Sequence, residues 1–276
     1  MTFTRRYAFG LLGLLVLLAF TAFFSLPILW LIREPSQQNG GYWNLNAFVQ
    51  TFNTMLAWQN GSLVIWLKNS AIYCFGGSAL AVVLSIPAGY GLALTQFVGR
   101  RTLLVITLVV MIMPLSALAL PLLLEAKAVG LLNTMWSIIL PLGLFPFGTY
   151  LAYIFFTSAI PKELLAAARM DGAGEWQIFR HIVVPLARPI IALVGYFALV
   201  SDWNNFFLPF VMTVYDTSSK YPLQVGLQQI IQQGGFATQP WDAAMVAIIA
   251  AAPMLVVFLF AQRMLVRGML AGASKD

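Results

Sequence analysis

Residues 163–189 read ELLAAARMDGAGEWQIFRHIVVPLARP, a charged and helix-favouring interval in a chain of 276 residues that is 61% hydrophobic and only 9% charged. Lys162 to Met170 are nearly all strong helix formers, and Pro161 before them suits a helix start. Asp171-Gly172 supplies a stop, because glycine takes the left-handed conformation that closes a helix. Gly174 then opens a second short helix, Glu175 to about His181, with its acidic residue in the favourable first turn. Pro185 and Pro189 mark a return to apolar sequence. The interval predicts a helix–turn–helix whose first helix is too short to be stable alone in water. Leu164, Leu165 and Ala168 form its apolar side, while Ala166 and Ala167 add little bulk. Such a shape suits either insertion into a partner or a connector lying on lipid headgroups.

The flanking sequence decides what surrounds it. A mean hydropathy of +0.86 and apolar runs of 18 or more residues predict an all-α, polytopic membrane protein. Six spans are expected, at about 7–32, 63–95, 102–124, 134–159, 183–212 and 243–263, in one transmembrane domain covering 1–276. Each must be helical to satisfy its own backbone. Arg5-Arg6 before the first apolar run resembles a twin-arginine signal. The run is too long for a signal h-region and no A-x-A site follows, so it is expected to be a retained first span.

The net charge is +6, from 15 basic and 9 acidic residues. Clustered Lys/Arg on a soluble face would suggest nucleic acid, but here basic residues punctuate hydrophobic spans and instead report topology. With the N-terminus inside, Arg5, Arg6, Arg100, Arg101, Lys162, Arg169, Arg180, Arg188, Arg263, Arg267 and Lys275 collect on the cytoplasmic side. Only Arg33, Lys68, Lys127 and Lys220 fall opposite. The positive-inside rule then places both termini in the cytoplasm. Trp43, Trp58, Trp66, Tyr215, Tyr221 and Trp241 fall near expected interfaces, as in an aromatic belt. QVGLQQIIQQ, in the loop before the last span, has helical spacing and is expected to lie along the membrane surface.

Nothing in the sequence supports a catalytic centre. It has no Gly-x-x-x-x-Gly-Lys-Ser/Thr phosphate loop, and one His with one Cys cannot build a His/Cys metal cluster. His181 is expected to be a surface or capping group, and Cys74 a small packing residue. Asp202 is the one ionisable group well inside a span. It keeps a proton-coupled secondary transporter open as an alternative. Asp202, Trp203, Asn204 and Asn205, with Asn69 in the second span, are the candidates for lining a solute pathway; interhelical hydrogen bonding is the competing role.

The segment resembles the EAA loop of ABC importer permeases, in which Glu-Ala-Ala, three residues, Gly, nine residues and Ile-x-Leu-Pro follow in order. Ala166-Ala167-Ala168, Gly172 and Ile182-Val183-Val184-Pro185 keep that spacing. Ala166 replaces the motif glutamate, with Glu163 three residues earlier, and Val184 replaces leucine. Gly130-Leu131-Leu132-Asn133-Thr134, Trp203-Asn204, Pro209, Pro253 and the ending Arg267-Gly268-x-x-Ala-Gly-Ala are similar to the second permease subunit of maltose-type carbohydrate importers. Leu31-Ile32-Arg33-Glu34 departs from that family's usual Phe-Lys after the first span.

The resemblance implies a non-catalytic subunit of a bacterial or archaeal cytoplasmic membrane. It would bind no cofactor itself, with ATP and Mg in the partner ATPase. The implied partners are a second permease in a heterodimer, two ATP-binding subunits, an extracytoplasmic solute-binding protein and the lipid bilayer, and no nucleic acid. Its solute would be a carbohydrate, or a polyol or glycerophosphate in the same architecture. Residues 161–182 would form the coupling loop, with Glu163, Ala166, Ala167, Ala168, Asp171, Gly172, Ala173, Ile182 and Pro185 meeting the ATPase.

Overall fold

A computed structural model describes residues 2–37, 43–213, 218–232 and 240–273, with side chains described within 11–37, 43–161, 163–213, 219–230, 232 and 240–262. Tyr215 and Lys275, and the side chains of Arg5, Arg6, Lys162, Arg263 and Arg267, lie outside these. The described residues are helical or irregular, without a strand. The helices are α1 Thr2–Arg33, α2 Leu45–Ala57, α3 Ser62–Leu94, α4 Arg100–Ile112, α5 Leu115–Ala128, α6 Trp136–Gly143 and α7 Pro146–Ala159. They continue with α8 Lys162–Met170, α9 Glu175–Leu186, α10 Arg188–Trp203, α11 Phe207–Met212, α12 Leu223–Gln232 and α13 Pro240–Ala273.

Four stretches are long and apolar enough to cross a membrane unaided: Leu11–Gln37, Ser62–Leu94, Trp136–Ala159 and Pro240–Gln262. Two more qualify as bent pairs, α4 with α5 at 105° and α9 with α10 at 75°. The sequence predicts these as single spans over 102–124 and 183–212, with prolines where they can kink, and each bend has a local cause. Met113 precedes Pro114 and is driven to φ −70°, ψ 128°, since a proline excludes the helical region for the residue before it. Pro189 has no amide for the carbonyl four residues back, and Ala187 sits at φ −81°, ψ 0° where the axis turns.

The chain divides into two compact units. One comprises residues 1–63 and 227–252. In it α1 exposes an apolar surface along its described length, and α2 begins at Asn44, whose Oδ1 accepts from the Asn46 and Ala47 amides at 3.0 and 3.3 Å. This capped helix lies between the first two expected spans, where the sequence is polar and aromatic. Thr51 donates its hydroxyl to the Pro35 carbonyl at 3.3 Å and ties α2 to the turn after α1.

The other unit comprises residues 64–226 and 253–276, and its described residues include two apolar cores. The first joins Ile86, Tyr90 and Ala93 of α3 to Ala152 and Phe156 of α7, Leu165 and Ala168 of α8, Ile178 and Val183 of α9, and Val194 of α10. The second joins Tyr73, Ile138, Leu142, Leu208 and Met212. Between them α3 runs for 33 residues without a break. Near its N-terminal end it grips the segment that leads into α12. Asn69 Nδ2 donates to the Ser219 and Tyr221 carbonyls at 2.8 and 3.0 Å. Tyr73 donates to Lys220 O at 2.9 Å, and Ser70 Oγ accepts from the Leu223 amide at 2.8 Å.

Trp66, expected among the interfacial aromatics, is instead 1% exposed. Its ring lies so close to Gly226 that a Cβ there would clash with it. Gly226→Ala is therefore expected to overpack this contact and to lower stability by about 1–3 kcal/mol, seen as an earlier thermal unfolding midpoint in detergent; an unchanged midpoint would show that the ring has room to retreat.

Candidate functional site

The helix–turn–helix is built as its residues dictate. Pro161 at φ −63°, ψ 131° caps α8 from outside rather than opening it. The turn closes through Asp171 N–H to Ala167 O at 3.0 Å and Ala173 N–H to Ala168 O at 3.0 Å, with Gly172 at φ +84°. Any side chain at 172 would be strained there. Gly174 begins α9, and its amide donates to Gln177 Oε1 at 2.9 Å.

The second helix does not stop at His181. It widens into a π-turn over Phe179–Val183, in which Val184 N–H donates to Phe179 O, and continues to Leu186. Pro185 sits just past this turn, where its missing amide is absorbed by an already altered ladder. His181 is exposed, its Nδ1 3.1 Å from Gln177 O, as expected of a surface group.

The faces of α8 divide cleanly. Leu165 at 2% and Ala168 at 9% exposure face the first core, together with Ile178 and Val183. Leu164, expected on that side, is turned outward with Glu163, Ala166, Ala167, Met170 and Asp171. Ala173 and Ile182 are half-buried and Pro185 is exposed. Met170 at 88% and Trp176 at 69% exposure add two large apolar side chains to the outer surface. Sequence reasoning missed both, because only Leu164, Leu165 and Ala168 stood out by helical spacing.

An ion pair braces the turn. Arg169 Nε donates to Glu175 Oε1 at 2.7 Å and its Nη2 to Oε2 at 3.3 Å, while Tyr90 of α3 donates its hydroxyl to Oε2 at 3.2 Å. The Arg169 guanidinium holds the Glu175 carboxyl below the usual carboxylate range, against the opposing effect of desolvation, and the Tyr90 hydrogen bond adds a lesser share in the same direction. No sequence motif pairs Tyr90 with Glu175, 85 positions apart.

The polar cluster of the fifth expected span is dispersed. Asp202 is 6% exposed, its Oδ2 buried without a hydrogen-bond partner and facing Gly77 of α3. Trp203 is buried as well. Asn204 is exposed, with Nδ2 donating to Val200 O at 2.8 Å, and Asn205 Oδ1 accepts from the Leu208 amide at 3.3 Å. Asn69 lies on α3, engaged with the Ser219 and Tyr221 carbonyls. Among the described residues no group of three or more His, Cys, Asp or Glu is placed to hold a metal.

The profile of the family described as binding-protein-dependent transport system inner membrane component matches residues 81–271, most of the chain and all of this helix–turn–helix. The chain belongs to that family. It is 33% identical over 211 residues to Protein LplC of Bacillus subtilis (strain 168), covering 72% of this chain and 70% of that one. The lactose transport system permease protein LacG of Rhizobium radiobacter is 30% identical, with 92% of each chain covered. The maltodextrin transport system permease protein MdxG of Bacillus subtilis (strain 168) is 30% identical over 85% of this chain and 82% of its own. The fold matches a chain of a bacterial ABC transporter involved in the import of the acidic polysaccharide alginate, with TM-score 0.79 at 23% identity, covering 95% and 98% of the two chains. The chain is thus a multi-pass inner membrane component of a binding-protein-dependent transporter.

The brace makes a pH-dependent contribution of definite sign. Because the folded Glu175 carboxyl titrates below its unfolded value of about 4, it stabilises the turn above that pH and loses the effect as pH falls through the folded value. Amide hydrogen exchange over 162–178 should show Arg169→Gln less protected than the parent at neutral pH and equal to it in acid; a difference that persists in acid would remove Glu175 from the account.

Proposed function

We propose that this protein is the permease subunit of an ATP-driven carbohydrate importer, lines half of the translocation pathway, and takes up ATPase motion through residues 161–182. The observation that carries the reading is the outward surface of the helix–turn–helix. It is flat at Ala166 and Ala167, apolar at Leu164, Met170 and Trp176, and lies within the region matched by the family. A surface of small and apolar side chains, braced by an exposed ion pair across its turn, suits insertion into a cleft. Carbohydrate as the solute class is supported by relatives named for maltodextrin, lactose and arabinooligosaccharides.

In this reading both termini are cytoplasmic and the whole chain acts as one transmembrane domain. The chain itself is non-catalytic and binds no cofactor; ATP and Mg belong to two separate ATP-binding subunits. A sister permease completes the pathway and an external binding protein delivers solute. Nucleotide and solute each favour one of two packings of the helices, and a differential of several kcal/mol is what shifts the population decisively. Glu163, Ala166, Ala167, Asp171 and Gly172 meet the ATPase directly, while Ala168, Ala173, Ile182 and Pro185 set the shape of the loop behind them. Asp202, Trp203, Asn204, Asn205 and Asn69 belong to the pathway helices. Asp202 and Asn69 shape them from buried positions, and Asn204 faces outward.

Ala167→Glu places an unpaired charge on the docking face. Gly172→Asp adds a charge and about 1–2 kcal/mol of left-handed backbone strain. Both are expected to cost co-purification of a P-loop ATPase and to abolish uptake; if assembly and uptake persist in both, the docking assignment is wrong. Asp202→Asn separates this function from proton-coupled transport. Uptake by vesicles loaded with ATP should persist in the variant and survive collapse of the proton gradient, whereas loss under either condition would favour the carboxyl as a coupling site.

A further inference from the structure

Glu175 is shared by three elements. It stands at the first position of α9, Arg169 of α8 grips it with two nitrogens, and Tyr90 of α3 donates to its second oxygen. The other side chains that this end of α3 and the helix–turn–helix share in the first core are apolar, Ala93 on one side and Leu165, Ala168, Ile178 and Val183 on the other. Apolar contacts hold surfaces together without fixing their angle, whereas a hydrogen bond to a charged group is directional and short-ranged. The Tyr90 ring is itself held edge-on to Phe156, at 6.0 Å between centroids, and tilted against Phe179 at 5.2 Å. Trp176 stacks on Phe179 at 5.7 Å. The hydroxyl therefore reaches Glu175 from a ring that the fold already positions, and its removal leaves that packing in place.

What α3 does at its other end gives the bond its consequence. From Tyr90 the helix continues, with Pro87 inside it, to Tyr73, Ser70 and Asn69, roughly 25 Å away at the helical rise for the nearer of these. There it holds the segment leading into α12 by side-chain hydrogen bonds. A loop that slid against α3 would move without it.

We propose that Tyr90 is a positioning residue for energy coupling: through Glu175, held by Arg169, it locks the helix–turn–helix to α3 so that the two turn as one body. This rests on the docking role proposed above for residues 161–182. It goes beyond that role by naming the helix that receives the motion and the hydroxyl that transmits it.

The test uses the complete complex, with the sister permease and ATP-binding subunits, and with Cys74→Ser. Spin labels are placed on Arg180→Cys and Lys68→Cys, both exposed positions, at the loop and near the far end of α3. The label separation is measured by pulsed electron resonance without nucleotide and after trapping with Mg-ATP and vanadate. With Tyr90 present it should change by no more than about 2 Å, the size of an ordinary helix shift. In Tyr90→Phe and in Glu175→Gln it should change or broaden beyond that, with the ATPase still bound. A separation that changes in the Tyr90 protein overturns the one-body claim, and one that stays fixed in Tyr90→Phe overturns the role of the hydroxyl. Loss of the ATPase from Tyr90→Phe places the residue in docking instead and equally overturns the proposal. Failure of the docking role itself registers separately, as an ATPase that stays bound in Ala167→Glu.

Discussion

Inside a hydrocarbon layer a backbone amide or carbonyl has no water to turn to, so every break in a helix must be served by the protein itself. This chain is full of such breaks, and its polar side chains are placed where they occur. At the Gly143–Phe145 interruption between α6 and α7, Ser85 donates to Phe145 O at 3.2 Å. At the end of α3, Arg100 donates to the Ala93 and Thr95 carbonyls at 3.0 and 3.3 Å. Before α11, Asn205 accepts the Leu208 amide, and ahead of α6 Lys220 donates to Asn133 O at 2.8 Å. Of these side chains α3 supplies Ser85, and its own end is the break that Arg100 serves.

That constraint also bears on function. A permease that alternates between two packings needs helices that can bend, and proline provides the bends at Pro114 and Pro189. It equally needs elements that do not bend, or motion applied at one point would dissipate. The Arg169–Glu175–Tyr90 brace and the Asn69–Ser70–Tyr73 grip are the stiff joints in this scheme, one at each end of the same helix.

The apolar helices were legible in the sequence because runs of twenty apolar residues favour one, and the turn at Gly172 was legible because glycine is the residue a left-handed helix stop demands. The bends were less so. Proline marks where a helix can break, but the 105° elbow at Met113–Pro114 depends on what packs on either side. Trp66 looked interfacial because it lies near a span end, and only tertiary contact with Gly226 makes it core. The brace was invisible for a similar reason. Arg169 and Glu175 are close in sequence, but Tyr90 meets them only once α3 packs beside the loop. Polar residues grouped in sequence, Asp202 to Asn205, meet different environments because α10 ends at Trp203 and the last two lie beyond it, where the chain turns toward α11.

The claim on which the account turns is that the outward face of α8 and its turn is covered by a P-loop ATPase. A photo-cross-linking amino acid at position 170, where the methionine is almost fully exposed, tests this in intact membranes. The account predicts one protein adduct, whose mass-spectrometric sequence contains Gly-x-x-x-x-Gly-Lys-Ser/Thr. Adducts to lipid alone, or to a protein without that motif, would contradict it.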